Sequence, residues 1–154
     1  MISNEFKQTT IAKEVSLIGV GLHTGKNVTL TFKPAEANVG YAFVRVDLEG
    51  HPVIEADASY VTNTQRGTCL EKNGVTIQTC EHVLAALVGL EIDNVYLELN
   101  ASEPPIMDGS SKFFVEALES AGIVELDAKR EEYIIKEVIS YKDEDSGSEI
   151  TIIP

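Results

Sequence analysis

Two segments with helical hydrophobic periodicity, each followed closely by a glycine, constrain the fold of this chain more than any other feature. The apolar stripe of the first segment, residues 80–88, consists of Cys80, Val83, Leu84, Leu87 and Val88. Side chains at these intervals lie on one face of a helix, which must pack against other elements. Thr79 is the expected N-cap. Gly89, followed by the apolar Leu90, is typical of a left-handed residue at a helix C-terminus.

The second helical segment, residues 111–121, repeats this design. Ser110 is the expected N-cap, and Gly122 followed by Ile123 repeats the ending of the first segment. The residues expected to face the core are Phe113, Phe114, Ala117, Leu118 and Ala121. We therefore expect two short helices, each covering the same hydrophobic core with one face.

Segments with two-residue alternation surround both helices and predict β-strands. The clearest are residues 28–33 and residues 95–99. Further strands are predicted at residues 9–18, 41–46, 53–55, 68–71 and 75–78. We expect strand 41–46 to pair with strand 28–33, and Asn73-Gly74 to form the turn of a hairpin. The predicted fold is α+β: a two-layer sandwich of a mainly antiparallel β-sheet with two helices.

The last part of the sequence predicts a division into domains. Residues 1–126 form one predicted domain, and the charged residues 127–132 form a linker. Residues 133–141 and 149–153 predict two further strands around a polar turn. An isolated hairpin is only marginally stable in water. We therefore interpret residues 133–154 as the first strands of a second domain that the chain does not complete.

Composition excludes several classes of function. The net charge is −13, from 25 acidic and 12 basic residues, which argues against nucleic acid and anionic membranes as partners. The acidity is otherwise interpreted as a solubility trait. No apolar run reaches the roughly 18 to 20 residues of a transmembrane helix, and the N-terminus does not resemble a signal peptide. We expect a cytoplasmic protein in which Cys69 and Cys80 are reduced thiols.

The candidate chemistry lies at the start of the first helix, in Glu81-His82. A histidine that binds a metal, beside a glutamate that does not, suits hydrolysis by metal-activated water. A histidine in a first helical turn is more often a capping or packing residue, and a catalytic zinc needs three protein ligands. His23 lies in a glycine-flanked loop that can approach a ligand closely or form a tight structural turn. His51 is expected to be a solvated turn residue.

Four ordered stretches extend this interpretation. They are Gly19-Val-Gly-Leu-His-Thr-Gly-Lys26, Thr79-Cys-Glu-His-Val-Leu-Ala-Ala-Leu-Val-Gly-Leu90, Ile92-Asp-Asn94 and Glu103-Pro-Pro-Ile-Met-Asp-Gly-Ser110. Together they resemble the UDP-3-O-acyl-N-acetylglucosamine deacetylase family, the zinc amidases of lipid A biosynthesis. The resemblance covers essentially the whole chain. It implies that residues 1–126 are the N-terminal deacetylase domain, the first of two similar domains with the active site between them.

The resemblance also implies the roles of individual residues. His82 would be a zinc (Zn2+) ligand, and Glu81 would be the general base that acts on a zinc-bound water to remove the N-acetyl group of the acylated UDP-N-acetylglucosamine substrate. The other zinc ligands, in a His-x-x-x-Asp motif, belong to the family's second domain, and His82 is the last histidine here. One ligand of three does not hold a catalytic zinc tightly, so we expect this chain to be inactive alone.

Substrate contacts are expected from a family loop that aligns with residues 63–68. Within it, Gln65, Arg66 and Gly67 are candidate substrate-binding residues, although a solvated loop arginine is an equally open interpretation of Arg66. His23 is expected near the active site. Asp108 is expected to be structural, through Asp-Gly turn chemistry.

Two alternatives remain open at this stage. The chain could be a stand-alone, non-catalytic binding module that reuses the fold. A longer parent protein could also carry a fused acyl-carrier-protein dehydratase, as some members of the family do.

Overall fold

The computed structural model describes residues 6–154, in which twelve β-strands and two α-helices follow the predicted order closely. The elements are β1 Lys7–Ile11, β2 Val15–Val20, β3 Asn27–Pro34, β4 Tyr41–Arg45, β5 Val53–Glu55, β6 Val61–Asn63, β7 Cys69–Lys72, β8 Val75–Ile77, α1 Glu81–Gly89, β9 Val95–Leu99, α2 Lys112–Ala121, β10 Ile123–Lys129, β11 Ile139–Lys142 and β12 Glu149–Ile152. A short 3-10 helix, Ala58–Tyr60, precedes β6. The α+β class predicted from the sequence is confirmed.

A five-stranded sheet forms the centre of the fold, in the order β2-β3-β9-β4-β5. The expected pairing of β3 with β4 is wrong, because β9 lies between them. β9 pairs antiparallel with β3, placing Leu97 opposite Phe32, and parallel with β4, placing Leu97 opposite Phe43. All three side chains are fully buried, so the most apolar strands occupy the middle of the sheet. Local alternation identifies such strands but does not specify their order.

The helices cover one face of this sheet. Val83 and Leu87 of α1 and Phe114 and Leu118 of α2 belong to the same buried cluster as the inward side chains of β3 and β9. Full burial of each large apolar side chain contributes about 1.5–3 kcal/mol. Val88, by contrast, was assigned to the apolar stripe and is 64% exposed.

The helix ends differ from the predicted caps in detail. Thr79 is not an N-cap: α1 begins after Cys80, and Thr79 adopts φ 54°. Gly89 is the last residue of α1, and the left-handed conformation falls on Glu91, with φ 54°. The prediction for α2 is closer, because Gly122 has φ 75°. The N-cap position of α2 is Ser111, one residue after the predicted Ser110. The Ser110 Oγ nevertheless accepts the N–H of Lys112 at 3.2 Å.

The outer strands correct several predicted boundaries. The predicted strand 9–18 is two strands, β1 and β2, separated by a turn, and β1 pairs with β10. Residues 127–129 were assigned to the linker but belong to β10, where Lys129 lies opposite Lys7. The strand expected from residue 133 begins only at Ile139. β11 and β12 form an antiparallel hairpin whose residues are all exposed.

The hairpin predicted around Asn73-Gly74 is confirmed. Lys72 of β7 lies opposite Val75 of β8, and the two turn residues have φ 52° and 77°. Positive φ at both central residues is what a type I′ turn requires. The turn fixes the register of β7 and β8, which with β6 form a three-stranded sheet beside the candidate site.

Candidate active site

A cleft of about 240 Å³ gathers residues from three segments of the chain: the loop at His23, residues 63–69, and residues 78–79. Its lining residues are His23, Asn63, Gln65, Arg66, Gly67, Cys69, Gln78 and Thr79. All four residues expected to contact substrate are therefore present in one cleft. The structure establishes their proximity, while their contact with a substrate remains a prediction.

The loop between β6 and β7 forms one wall of the cleft. The side chain of Asn63 accepts the N–H of Gln65 at 2.7 Å, which closes a local turn. Arg66 follows with φ 64° and is exposed. Arg66 carries the one formal positive charge among the lining residues.

Glu81 borders this loop from the first turn of α1. Its Oε2 accepts the N–H of Thr68 at 2.8 Å. A Cβ atom placed on Gly67 would lie 3.3 Å from Glu81 Oε1 and 3.4 Å from Thr79 Oγ1. The absence of a side chain at Gly67 therefore leaves room beside the Glu81 carboxylate. The positive end of the helix dipole also favours a carboxylate here.

His82 follows in the same turn and is half-buried. Its carbonyl oxygen accepts the hydroxyl of Ser111 at 2.9 Å, which ties α1 to the start of α2. Within residues 6–154, no group of three or more His, Cys, Asp or Glu side chains is arranged to hold a metal ion. His82 can supply one nitrogen ligand, but the described residues alone do not form the three-ligand set of a catalytic zinc site.

Glu103 is the residue of this region that the sequence reasoning missed. Its side chain is fully buried. One carboxylate accepts the backbone N–H of His23 at 3.1 Å, the N–H of Thr24 at 3.0 Å and the hydroxyl of Thr79 at 3.0 Å. The sequence signal was a glutamate directly before two prolines, which restrict the backbone to extended conformations. That signal indicates rigidity but not which donors the carboxylate meets.

These donors also decide the protonation of Glu103. Burial alone would raise the pKa of its carboxyl group. The hydrogen bonds from the backbone N–H groups of Thr24 and His23 and from the hydroxyls of Thr79 and Thr24 outweigh burial, so the pKa lies below its usual value. Glu103 is consequently an ionised buried carboxylate at neutral pH, stabilised by hydrogen bonds.

The two cysteines lie beside the cleft and differ in burial. Cys69 is partly exposed and lines the cleft, whereas Cys80 is fully buried. Burial, with a smaller contribution from the charge of Glu81, raises the pKa of the Cys80 thiol to about 12. Cys80 is therefore a protonated core residue, with its thiol 3.5 Å from the carbonyl oxygen of Thr68.

Three further motif residues, Asp93, Asn94 and Asp108, hydrogen-bond to nearby backbone and side-chain groups. Buried Asn94 accepts the N–H of Gly40 and donates to the Gln8 side chain, both at 3.0 Å. Neighbouring Asp93 accepts the N–H of Thr9, so this pair anchors β1 to the central sheet. Asp108 Oδ1 accepts the N–H and the hydroxyl of Ser110, the turn that the Asp-Gly pair predicts.

Comparison with known proteins identifies the family. The model of the UDP-3-O-acyl N-acetylglycosamine deacetylase family, LpxC, matches residues 8–154. The chain belongs to this family. Its α+β domain, with Glu81 beside the cleft, is thus a deacetylase-family domain. No helix among residues 6–154 combines the length and the apolar character needed to cross a membrane.

Several relatives support this assignment. A protein of Bacteroides thetaiotaomicron named bifunctional enzyme LpxC/FabZ is 49% identical over 148 residues, which cover 96% of this chain and 32% of the relative. Proteins named UDP-3-O-acyl-N-acetylglucosamine deacetylase are 47% identical in Pseudoalteromonas atlantica and 43% identical in Myxococcus xanthus, over 94% and 98% of this chain. The aligned region is 48% of each of these two relatives, so the chain spans about half of their length.

Proposed function

We propose that this chain supplies one half of a zinc-dependent deacetylase that hydrolyses the N-acetyl group of an acylated UDP-N-acetylglucosamine in lipid A biosynthesis. The observation that carries the proposal is the position of the Glu81 carboxylate, which lies beside Gly67, a residue that lines the cleft together with His23 and residues 65–66. Because the chain belongs to a deacetylase family, deacetylation is the reaction that we propose. The cytoplasm is the proposed location.

Glu81 would act as the general base. Its Oε2 is held by the N–H of Thr68, while Oε1 faces the space left free by Gly67. A carboxylate held in this way can accept a proton from an attacking water without first reorienting. As the carboxylate takes this proton, the water oxygen adds to the acetyl carbonyl carbon. The amide C–N bond would then break as the leaving amine is protonated, a step that the family resemblance assigns to a histidine of the second domain.

His82 would contribute one nitrogen to the metal. Zinc, when bound, lowers the pKa of water and polarises a carbonyl group, the two requirements of amide hydrolysis. We propose that the other ligands come from sequence corresponding to the second half of the longer relatives. Under this proposal, the 154-residue chain by itself has negligible zinc affinity and activity.

The UDP-sugar carries negative charge, which the acidic protein as a whole would repel. Arg66 offers a local positive charge at the cleft, and His23 lies in the same lining. Arg66 is the side chain best placed to offset this repulsion for a diphosphate. We therefore propose that Arg66 contributes to substrate binding and affects KM more than kcat.

The test uses the full-length protein with Glu81→Gln and His82→Ala. Glu81→Gln keeps an acceptor for the Thr68 N–H but cannot take a proton, so kcat should fall about 10²- to 10⁴-fold with the fold retained. His82→Ala should lower the zinc content measured by elemental analysis, whereas Glu81→Gln should not. Near-normal turnover by both folded variants would exclude the proposed roles of Glu81 and His82. A folded, unmodified protein that binds the substrate without turnover would instead favour a non-catalytic binding module.

A further inference from the structure

We propose that Glu103 is a positioning residue of this site, which fixes the His23 loop and the start of α1 relative to each other. The proposal rests on the proposed deacetylase function. Glu103 lies in the segment between β9 and α2, outside the lining of the cleft. Its carboxylate nevertheless joins the two segments of chain that carry His23 and Glu81.

The contacts of Glu103 have the form of a clamp. Oε2 accepts the N–H groups of His23 and Thr24, at 3.1 and 3.0 Å, and Oε1 also accepts the His23 N–H at 3.1 Å. Oε1 accepts the Thr79 hydroxyl as well, at 3.0 Å. The Glu103 side chain is fully buried, and these hydrogen bonds stabilise its charge. Both carboxylate oxygens therefore accept backbone donors of the His23 loop, and Oε1 also accepts the Thr79 side chain.

Thr79 is the point at which the clamp reaches the catalytic turn. Its φ of 54° is unusual for a β-branched residue and persists only where surrounding contacts enforce it. The hydroxyl hydrogen bond to Glu103 is one such contact, and the N–H of Cys80 to the Thr68 carbonyl oxygen, at 3.4 Å, is another. Loss of the first contact would release Thr79 toward an ordinary conformation.

That release would displace Glu81, which lies only two residues further along the chain. Thr79 Oγ1 and Glu81 Oε1 flank the same empty space at Gly67. A change in φ at Thr79 rotates the entry to α1 and thereby moves the Glu81 carboxylate relative to the Thr68 N–H. A misplacement of about 1 Å in a catalytic geometry can cost about 100-fold in rate.

Three substitutions of Glu103 in the full-length protein separate the effect of side-chain length from the effect of charge. Glu103→Gln keeps the length of the side chain without its charge, and its amide can accept from the N–H groups while donating to the Thr79 hydroxyl. Glu103→Asp keeps the charge but is one methylene shorter, so it cannot reach both segments. Glu103→Ala removes the clamp. Asn94→Ala is the matched control, because it removes a buried hydrogen-bonding side chain that anchors β1 rather than the cleft.

The measurements are Tm, zinc content, and kcat and KM per folded, zinc-loaded protein. We expect Glu103→Ala and Glu103→Asp to lower kcat about 100-fold, with KM little changed. Glu103→Gln should stay within about tenfold of the unmodified protein, since it loses only part of its hydrogen bonding. Asn94→Ala should lower Tm without changing kcat. If Glu103 matters only for folding, kcat per folded protein will be unchanged in every variant, which would overturn the proposal.

Other outcomes are also decisive. If the charge of Glu103 matters rather than the length of its side chain, Glu103→Gln will have low activity and Glu103→Asp high activity. That result would overturn the positioning role. If Glu103→Ala and Glu103→Asp do not fold, the comparison of Thr79→Val with Thr79→Ser tests the positioning role instead. Only the serine variant keeps the hydroxyl that donates to Glu103. A positioning role requires the kcat of Thr79→Val to fall well below that of Thr79→Ser. Equal kcat values in the two variants would overturn the proposal. An inactive unmodified protein would overturn the proposed function and this role together, whereas an active protein with insensitive Glu103 variants overturns the role alone.

Discussion

Replacement of Gly21 by alanine tests the packing around Glu103 directly. Gly21 is buried, and its N–H and carbonyl group close the His23 loop through bonds to Lys26 and Gly25. A Cβ atom at this position would lie 2.4 Å from Thr24 Oγ1 and 2.6 Å from Glu103 Oε2. Both distances are far below a normal contact, so the hydroxyl and the carboxylate must both move.

The magnitude follows from two effects. Overpacking by one methyl group in a filled region costs about 1–3 kcal/mol. The Thr24 hydroxyl can rotate away, but Glu103 is followed by two buried prolines and already holds the N–H groups of His23 and Thr24. If the carboxylate moves, a buried donor loses its acceptor, at a further cost of about 1–3 kcal/mol. We expect a total loss of about 2–6 kcal/mol in the free energy of unfolding.

Urea denaturation measures this loss, and Gly89→Ala is the control. Gly89 lies at the end of α1 with no atom within 4 Å of an added Cβ and without positive φ. The same substitution there should be neutral or should stabilise the protein by up to about 1 kcal/mol. If Gly21→Ala has the same free energy of unfolding as Gly89→Ala, the close packing of Gly21 against the Glu103 carboxylate is wrong.

Two further predictions concern titration and thiol reactivity. The pKa of Glu103 is lower in the folded protein than its ordinary 4.5, so its ionised form stabilises the fold above that pH, and this contribution is lost as pH falls through the folded pKa. As pH falls, the free energy of unfolding should decrease less steeply in Glu103→Gln than in the unmodified protein. An identical pH dependence in the two proteins would contradict this prediction. Iodoacetamide at about pH 8 should alkylate Cys69 and spare Cys80, whose thiol is buried with a pKa of about 12. Equal labelling of both thiols in the native protein, read by mass spectrometry, would refute this.

Local patterns in the sequence predicted most of the elements. Strict alternation identified β3 and β9, and Asn73-Gly74 identified the β7–β8 hairpin, because side-chain period and turn chemistry are local properties. The helix boundaries were accurate to one residue. The errors fall where distant residues decide. Insertion of β9 between β3 and β4 and the pairing of β10 with β1 depend on contacts that sequence spacing does not encode.

The sequence by itself determined the α+β class, through periodicity, and the Glu81-His82 pair as a candidate, through its place at the start of a helix. The loop residues 65–67 became candidates only through the family resemblance. Only the tertiary structure brought His23, Gln65 and Gly67 into one cleft and revealed that Glu103 joins the loops behind it. The physical reason is distance along the chain: Glu103 and His23 are 80 residues apart, and a hydrogen bond between them exists only after the sheet has brought their strands together.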